Sequence, residues 1–322
     1  METSNIIGVI LAAGKGSRMY PLSEKYSKCT LPICNKPLLE YQIEMMKEVG
    51  ITDIIIVVGY NGFEVVRVIG NGERQSVNIT YVNQGETLGI AHALGTLEPY
   101  IDKPFLLFLG DIYFDCRSLS PMMEEFSHED VNAVLATKVE KDKDAIKRNF
   151  AVVLKPDGRV GRVIEKPRYI INNIKGCGLY LFDLHIFDAI RRTPRTAMRD
   201  EYEITDSIQI LIDDGFKVET ANIIDDDLNL TFIDDLLSLN LLIMKKKGKN
   251  IILGKNTSIK DIDLLENAVV GDNVSISNEI KIRNSVIFSG ETVKETEGIY
   301  DSIVVDNQII HCRNRKNNSW RG

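Results

Sequence analysis

The sequence predicts an α/β fold, with a Rossmann-like, mixed and mostly parallel sheet flanked by helices and a short C-terminal parallel, left-handed β-helix. Three observations support this prediction. Short β-branched runs alternate with helical patterns in the first third of the chain, as in βαβ units. The middle of the chain contains hairpin signals, such as the turn sequence at residues 155–158. From Ile251 onward, short β-branched runs recur between turn residues, which is typical of loose hexapeptide-like repeats.

The first strand is predicted over residues 6–11, an apolar and β-branched run. The loop that follows it is rich in small residues, namely Ala12, Ala13, Gly14 and Gly16. Such a loop lets a phosphate chain approach the backbone N–H groups closely. Arg18 and Lys28 come next and supply a guanidinium fork and an ammonium group. The stretch therefore predicts a phosphate-binding site.

The spacing of this loop excludes two common phosphate-binding motifs. A P-loop needs four residues between its first glycine and the Gly-Lys pair, whereas five separate Gly8 from Gly14, and Gly16 follows Lys15. The dinucleotide fingerprint needs a glycine or alanine where Met19 stands. A different phosphate-binding pattern is required.

The next elements continue the βαβ alternation. Strands are predicted over residues 53–58, 78–82 and 105–109, and helices over residues 38–49, 61–69 and 88–97. Ligands of parallel sheets bind at the carboxyl ends of the strands. Gly14, Gln84 and Asp111 each follow a predicted strand, so we expect one cleft to hold all three.

The second half of the chain should extend this sheet and form the far wall of the cleft. Strands are predicted over residues 131–139, 150–154, 159–164 and 178–182, and helices over residues 184–191, 205–213 and 232–244. Thr205 or Asp206 is predicted as a helix N-cap. We therefore expect a catalytic domain over residues 1–245, a β-helix-like domain over residues 250–312 and a polar tail over residues 313–322.

Composition narrows the class of protein. The net charge of −7 argues against bulk binding of nucleic acid. Apolar runs stay well below the roughly 18 residues that a membrane span needs. Five scattered cysteines without a C-x-x-C pair, and an N-terminus without a basic region before its first apolar run, predict a cytoplasmic protein.

The N-terminal motifs together resemble the signature of the sugar-1-phosphate nucleotidylyltransferases. They are the segment 11–18 (LAAGKGSR), Ser27-Lys28, the segment 31–33 (LPI) and Lys36-Pro37. The resemblance covers roughly residues 6–240. It implies an enzyme that uses Mg²⁺ to convert an NTP and a sugar 1-phosphate into an NDP-sugar and pyrophosphate.

The resemblance also implies roles for individual residues. The catalytic residues would be Arg18, Lys28, Asp111 and Lys166. The nucleotide-binding residues would be Leu11, Ala12, Ala13, Gly14, Gly16, Gln84 and Gly89. The acceptor-binding residues would be Ala151, Glu165, Lys166 and Gly178. The metal ligands would be Asp111 together with Asp227 or Asn229.

Two positions depart from the family pattern. Ala151 stands where many relatives have a glycine in the sugar-binding strand. At the position of the second metal-binding aspartate the chain has Asn229, with Asp227 two residues earlier on the same strand face. The side-chain amide of Gln84 can both donate and accept, which favours UTP or dTTP and leaves CTP possible.

Two other functions are consistent with these residues. The altered sugar and metal motifs suit a cytidylyltransferase that acts on a phosphorylated non-sugar acceptor resembling phosphocholine. A non-catalytic regulatory paralogue is the other alternative, although such proteins typically lose residues of the Arg18 and Lys28 type. In each case we expect the C-terminal domain to serve as an assembly platform, so that the protein is a homo-oligomer.

Overall fold

The chain forms two compact units in a computed structural model that describes residues 5–197 and 199–312. The first unit contains the chain up to Lys15 and the segment Leu39–Leu228. The second contains Gly16–Leu38 and the chain from Asn229 onward. The second unit thus joins Gly16–Leu38 to the C-terminal residues, and the domain boundary expected near residue 245 stays a prediction. The expected tail, residues 313–322, lies outside the described residues.

The strands before the last long helix are β1 (Ile7–Ala12), β2 (Pro32–Ile33), β3 (Lys36–Pro37), β4 (Asp53–Val58), β5 (Asn78–Asn83), β6 (Phe105–Leu109), β7 (Ile112–Cys116), β8 (Val131–Val139), β9 (Phe150–Leu154), β10 (Val160–Glu165), β11 (Ile174–Phe182), β12 (Lys217–Ala221) and β13 (Ile224–Asn229). The helices are α1 (Leu38–Glu48), α2 (Gly62–Ile69), α3 (Ile90–Gly95), α4 (Ser120–Phe126), α5 (Lys143–Arg148), α6 (His185–Arg192), α7 (Ile204–Asp213) and α8 (Ile233–Lys246). In the part of the chain that the structure describes, no helix has the length and apolar character needed to span a membrane.

The first unit is built on a mixed sheet with the order β10-β9-β11-β6-β1-β4-β5, and β8 and β12 continue it beside β11. β1 pairs in parallel with β4 and β6, and β4 pairs in parallel with β5. β11 pairs antiparallel with β6, β8 and β9. The predicted Rossmann-like α/β fold with a mostly parallel core is confirmed, and the direction of pairing changes at β11.

Four elements of the first unit were not predicted from sequence: β7, β12, α4 and α5. The two helices contain only seven and six residues, too few to display a helical period. β7 begins directly after the turn at Asp111, so its pattern merges with that of β6.

Aromatic side chains fix the strands that meet at the change of direction. The rings of Phe105 on β6 and Phe182 on β11 have centroids 5.7 Å apart, and Phe150 on β9 stacks on Tyr180 at 6.1 Å. All four residues belong to one buried apolar cluster. These contacts hold the antiparallel strands rigidly against the parallel ones.

The C-terminal strands of the second unit, here called the coil strands, are β14 (Ile251–Leu253), β15 (Ser258–Ile259), β16 (Leu265–Val270), β17 (Ser275–Ile276), β18 (Ile282–Ile287), β19 (Thr292–Val293), β20 (Ile299–Tyr300), β21 (Ser302–Val305) and β22 (Gln308–His311). β14, β16, β18 and β21 pair in parallel in that order, as do β15, β17 and β19. β22 ends the first of these sheets by pairing antiparallel with β21.

A side-chain ladder shows the repeat length of the coil strands. Asn267 Nδ2 donates to Asn284 Oδ1 at 3.1 Å, Asn284 Nδ2 donates to Asp301 Oδ1 at 3.0 Å, and each step is 17 residues. The three residues have left-handed φ values of 48°, 48° and 47°, which asparagine and aspartate tolerate better than most residues. The repeat is therefore 17 residues long and is not a multiple of the expected hexapeptide.

Candidate active site

Four loops of the first unit lie at one edge of its sheet. They follow the parallel strands β1, β4, β5 and β6 and contain Gly14, Gly59, Gln84 and Asp111, respectively. Neighbouring strand ends are tied together: Gly110 N donates to Leu11 O at 2.9 Å, and Gln84 N donates to Val58 O at 2.9 Å. The structure thus brings the loop after Leu11, Gln84 and Asp111 to the same edge.

The loop that starts at Ala12 packs tightly against the end of β4. A Cβ atom added to Gly59 would lie 2.9 Å from Ala13 O, so only glycine fits there. Ala12 and Ala13 are themselves buried, whereas Gly14 is exposed and a Cβ atom there would meet nothing. The backbone at Gly14 is therefore open to a ligand.

Asp111 stands on a turn between β6 and β7 that a buried glutamine holds. Gln42 Nε2 donates to Leu109 O at 2.9 Å and to Ile112 O at 2.8 Å, so one amide bridges both sides of the turn. Gln42 is 1% exposed and lies on α1. Sequence analysis missed Gln42, although a polar residue beside the apolar helix positions Leu39, Ile43 and Met46 was a signal.

Gln84 and Gly89 lie on the loop between β5 and α3. Gln84 is 7% exposed, so its amide is largely withdrawn from solvent. Gly89 has φ +110°, and a Cβ atom there would lie 2.5 Å from Tyr202 O. Hydrogen bonds from Ala91 N to Tyr202 O (3.0 Å) and from Tyr202 N to Leu88 O (2.8 Å) fix this close approach. Only glycine therefore fits at position 89, which lies immediately before α3.

Glu165 is the centre of a polar cluster. Its carboxylate lies 3.5 Å from Lys166 Nζ and 3.3 Å from Arg199 Nη1, and Thr205 Oγ1 donates to it at 3.3 Å. Arg199 also binds Glu203 at 2.7 Å. The structure thus brings Glu165 and Lys166 together and adds Arg199, a residue that sequence analysis did not single out.

The same cluster corrects the predicted cap of α7. The helix begins at Ile204, so Glu203 is its N-cap residue, and neither Thr205 nor Asp206 has that role. Burial and the neighbouring Glu165 raise the pKa of Glu203, whereas Arg199 lowers it. Burial and Glu165 also raise the pKa of Asp206. The raised pKa values of Glu203 and Asp206 mean that additional negative charge next to Glu165 is unfavourable.

Ala151 and Gly178 occupy buried positions on adjacent strands. Ala151 pairs with Ile164 on β10 and Lys175 on β11 and is 1% exposed. Gly178 lies inside β11 and not at a strand start, at an irregularity in the pairing with β8. Its φ is +65°, and a Cβ atom there would lie 2.7 Å from Ile112 Cδ1. The backbone of β11 therefore needs glycine at this point.

Asp227 is held in a buried ion pair. Lys175 Nζ lies 2.6 Å from Asp227 Oδ1, and the exposed fractions of the two side chains are 4% and 1%. Burial raises the pKa of Asp227, and Lys175 opposes that shift. Lys138 Nζ binds the adjacent Asp226 at 2.8 Å. Asp227 is thus already neutralised by a lysine of the same unit.

Gly16, Arg18 and Lys28 belong to the second unit. Gly16 has φ +62°, and a Cβ atom there would lie 2.9 Å from Cγ of Lys28, so the lysine stem passes directly over the glycine. The guanidinium carbon of Arg18 lies 5.8 Å from the ring centroid of Phe232. Asn229, the last residue of β13, also belongs to this unit.

Comparison with known proteins identifies the family. The family model described as nucleotidyl transferase matches residues 7–226, more than half of the chain. The chain belongs to the nucleotidyl transferase family. This confirms the predicted nucleotidyltransferase enzyme.

Similar proteins agree with the family match. The chain is 34% identical over 75% of its length to the low-salt glycan biosynthesis nucleotidyltransferase Agl11 of Haloferax volcanii, of which it covers 67%. It is 34% identical over 67% of its length to the UTP–glucose-1-phosphate uridylyltransferase AglF of the same organism, of which it covers 87%. A solved structure of a candidate glucose-1-phosphate thymidylyltransferase from Bacillus anthracis is 28% identical, with a TM-score of 0.66 over 74% of this chain and 94% of that one.

The match to the nucleotidyl transferase family divides the candidate residues into two sets. The matched residues include β1 and the loop after it, Arg18 and Lys28, Gln84, Asp111 and the cluster around Glu165. The match ends one residue before Asp227. The two candidates for the second metal ligand therefore lie outside the matched residues.

Proposed function

We propose that this nucleotidyl transferase joins an NTP to a sugar 1-phosphate and releases an NDP-sugar and pyrophosphate. An oxygen of the sugar phosphate attacks the α-phosphorus of the NTP, and the bond from that phosphorus to the bridging oxygen of pyrophosphate breaks. The main support is the shared sheet edge at which the small-residue loop, Gln84 and Asp111 follow parallel strands. The names of Agl11 and AglF support the same reaction class.

The NTP would bind to the loop of Leu11, Ala12, Ala13, Gly14 and Gly16 through backbone N–H groups. Arg18 and Lys28 would stabilise the negative charge that grows on the phosphates during transfer. Alanine at either position should therefore lower kcat more than it raises KM for the NTP. A change in KM alone would make the residue a binding anchor.

A divalent cation, Mg²⁺ in our proposal, would be held by Asp111, and Asn229 and Asp227 are the sequence candidates for a second ligand. Asp111 fits because a carboxylate on a rigidly held turn suits a hard cation. Asp227 is the poorer candidate, because Lys175 binds its Oδ1 and its side chain is only 1% exposed, although its buried Oδ2 has no hydrogen-bond partner among the described residues. Among the described residues, no group of three or more His, Cys, Asp or Glu side chains could hold a metal ion, which agrees with a site completed by substrate phosphates. When bound, the cation would neutralise charge on those phosphates.

The acceptor would bind beside Glu165 and Lys166. The lysine ammonium would contact the sugar phosphate, and Glu165 would accept hydrogen bonds from sugar hydroxyls. Arg199 supports this assignment, because it brings a second cation within 3.3 Å of Glu165. Ala151 and Gly178 would shape the wall of this pocket. Lys166→Ala should then act mainly on the KM of the acceptor.

The base would be read by the buried amide of Gln84, with UTP or dTTP preferred and CTP the main competitor. A wrong base leaves buried polar groups unpaired at about 1–3 kcal/mol each. Gln84→Ala should therefore reduce the preference among NTPs more than it reduces overall turnover. If ATP or GTP proved to be the best nucleotide substrate, the proposed role of Gln84 would be contradicted.

The coil strands would form a parallel β-helix that serves as an assembly platform for a homo-oligomer. Two sets of parallel strands with a 17-residue repeat support this architecture. In this proposal residues 1–245 form the catalytic domain and residues 250–312 the platform. When residues 250–322 are deleted, light scattering should show fewer chains per particle than in the full-length protein. An unchanged number of chains per particle would contradict the assembly role.

The reaction is tested by pyrophosphate release from UTP, dTTP, CTP, ATP or GTP with a panel of sugar 1-phosphates and phosphocholine. Asp111→Asn should reduce turnover on the order of 10²–10³-fold, because it removes charge where the transition state needs it. Asp102→Asn, at an exposed carboxylate before β6, is the matched control and should retain activity. Near wild-type turnover of Asp111→Asn would contradict its metal role, and turnover with phosphocholine alone would favour the cytidylyltransferase alternative.

A further inference from the structure

The segment Gly16–Leu38, here called the cation segment, carries Arg18 and Lys28 and has little regular structure of its own. It contains three one-turn 3-10 helices and the two-residue strands β2 and β3. Such short elements cannot hold a chain in one conformation without outside contacts. The position of both cations must therefore depend on what the segment packs against within the second unit.

The first anchor is the hairpin formed by β2 and β3. Its turn residues Cys34 and Asn35 have φ values of 51° and 65°, a left-handed pair typical of a two-residue hairpin turn. Cys34 N donates to Asn240 Oδ1 at 2.7 Å, and Asn240 Nδ2 donates to Pro32 O at 3.0 Å. Asn240 lies on α8 and is 0% exposed. A single buried amide thus fixes both the turn and the preceding strand.

The second anchor reaches the coil strands. Asn35 Nδ2 donates to Val270 O at the end of β16, at 2.7 Å. The ring of Tyr26 meets the ring of Phe288 edge to face at 5.5 Å, and Lys25 Nζ lies 2.9 Å from Asp306 Oδ1. The residues that contact the coil region therefore flank Lys28 on both sides in sequence.

We propose that the coil strands position the cations of the active site, with Asn35, Tyr26 and Asn240 as positioning residues for nucleotidyl transfer. This inference rests on the proposed roles of Arg18 and Lys28. A displacement of about 1 Å in a positioning group can cost on the order of 10²-fold in rate. Loss of one anchor should therefore change catalysis without changing the chemistry of any reacting group.

The test compares Asn35→Ala with Asn256→Ala in the full chain. Asn256 is a matched control, because its side chain donates to Asn273 Oδ1 at 3.2 Å, within the coil region. Asn35→Ala should lower kcat by about tenfold at an unchanged KM for the acceptor, as expected for a modest displacement of Lys28. Asn256→Ala should retain kcat. Equal kcat values for the two variants would overturn the proposal.

A double-mutant cycle separates positioning from general stability. In a Lys28→Ala background, Asn35→Ala should lower kcat by a smaller factor than in the wild type, because one of the two cations that it positions is gone. The same fold-loss in both backgrounds would overturn the inference. Tyr26→Leu, which removes the contact with Phe288, provides a second variant if Asn35→Ala folds poorly.

Hydrogen–deuterium exchange gives a readout that does not need activity. Residues 27–33 should exchange faster in Asn35→Ala than in Asn256→Ala at equal thermal stability, since their anchor is lost. Unchanged exchange would overturn the inference even if the enzyme is active. Conversely, a wild-type chain that releases no pyrophosphate from any substrate pair would refute the proposed function and leave the exchange result intact.

Discussion

Lys175 Nζ lies 2.6 Å from Oδ1 of Asp227, and the exposed fractions of the two side chains are only 4% and 1%. Glu140 lies 3.9 Å from the same ammonium group. Two charges withdrawn from water in this way stabilise the fold only as a pair, because each alone would be a desolvated ion. The aspartate that the sequence offered as a metal ligand is therefore part of the structural core of its unit.

Removing one partner of this pair should destabilise the protein strongly. Lys175→Met leaves Asp227 as an unpaired buried carboxylate, so we expect a loss of about 3–5 kcal/mol in the free energy of unfolding, measured by urea denaturation. Lys175→Met combined with Asp227→Leu should recover much of that loss. The double variant should also respond to Mg²⁺ as the wild type does, and a stable double variant without that response would make Asp227 a ligand.

Gln42→Leu should affect catalysis more than stability. The substitution leaves Leu109 O and Ile112 O without their donor, at about 1–3 kcal/mol in the free energy of unfolding. It also releases the turn that presents Asp111, so the Mg²⁺ concentration for half-maximal activity should rise. Thr193→Val, which removes buried hydrogen bonds to Ala189 and Ser207, is the control. If the Mg²⁺ concentration for half-maximal activity rose equally in both variants, the role of Gln42 would be contradicted.

The pH dependence of stability should carry a contribution from Glu203. Burial raises the pKa of Glu203 above its ordinary value of 4.5, so the folded state binds that proton more tightly than the unfolded state. This contribution to stability is present below the ordinary pKa and is lost as pH rises through the folded-state pKa. Between about pH 4 and 7, the free energy of unfolding should therefore fall less in Glu203→Gln than in the wild type, measured by denaturation at each pH. Parallel curves would contradict the raised pKa.

Asn284 should be important both for its amide and for its backbone conformation. Asn284→Gly removes the hydrogen bonds to Asn267 and Asp301 but tolerates the φ of 48°. Asn284→Ala removes the same bonds and adds the strain of a left-handed residue, about 1 kcal/mol more. Urea denaturation should therefore rank the wild type above Asn284→Gly and Asn284→Ala lowest. Alanine at least as stable as glycine would show that the left-handed backbone carries no cost there.

The sequence was sufficient for the features that depend on local patterns. The small residues directly follow the β-branched run of β1, and the acidic turn at Asp111 directly follows the apolar run of β6. Parallel strands end at a common edge, so these local readings also predicted that Gly14, Gln84 and Asp111 share that edge. Local periodicity and βαβ topology explain this success.

Tertiary structure decided the features that depend on partners distant in sequence. Gln42 bridges the Asp111 turn from 67 and 70 residues away, Lys175 pairs with Asp227 across 52 residues, and Asn35 reaches Val270 across 235 residues. A side chain's local pattern does not say which distant group it will meet, because that depends on how helices and strands pack. The sequence thus determined which residues are candidates for the chemistry, and packing determined which residues hold them in place.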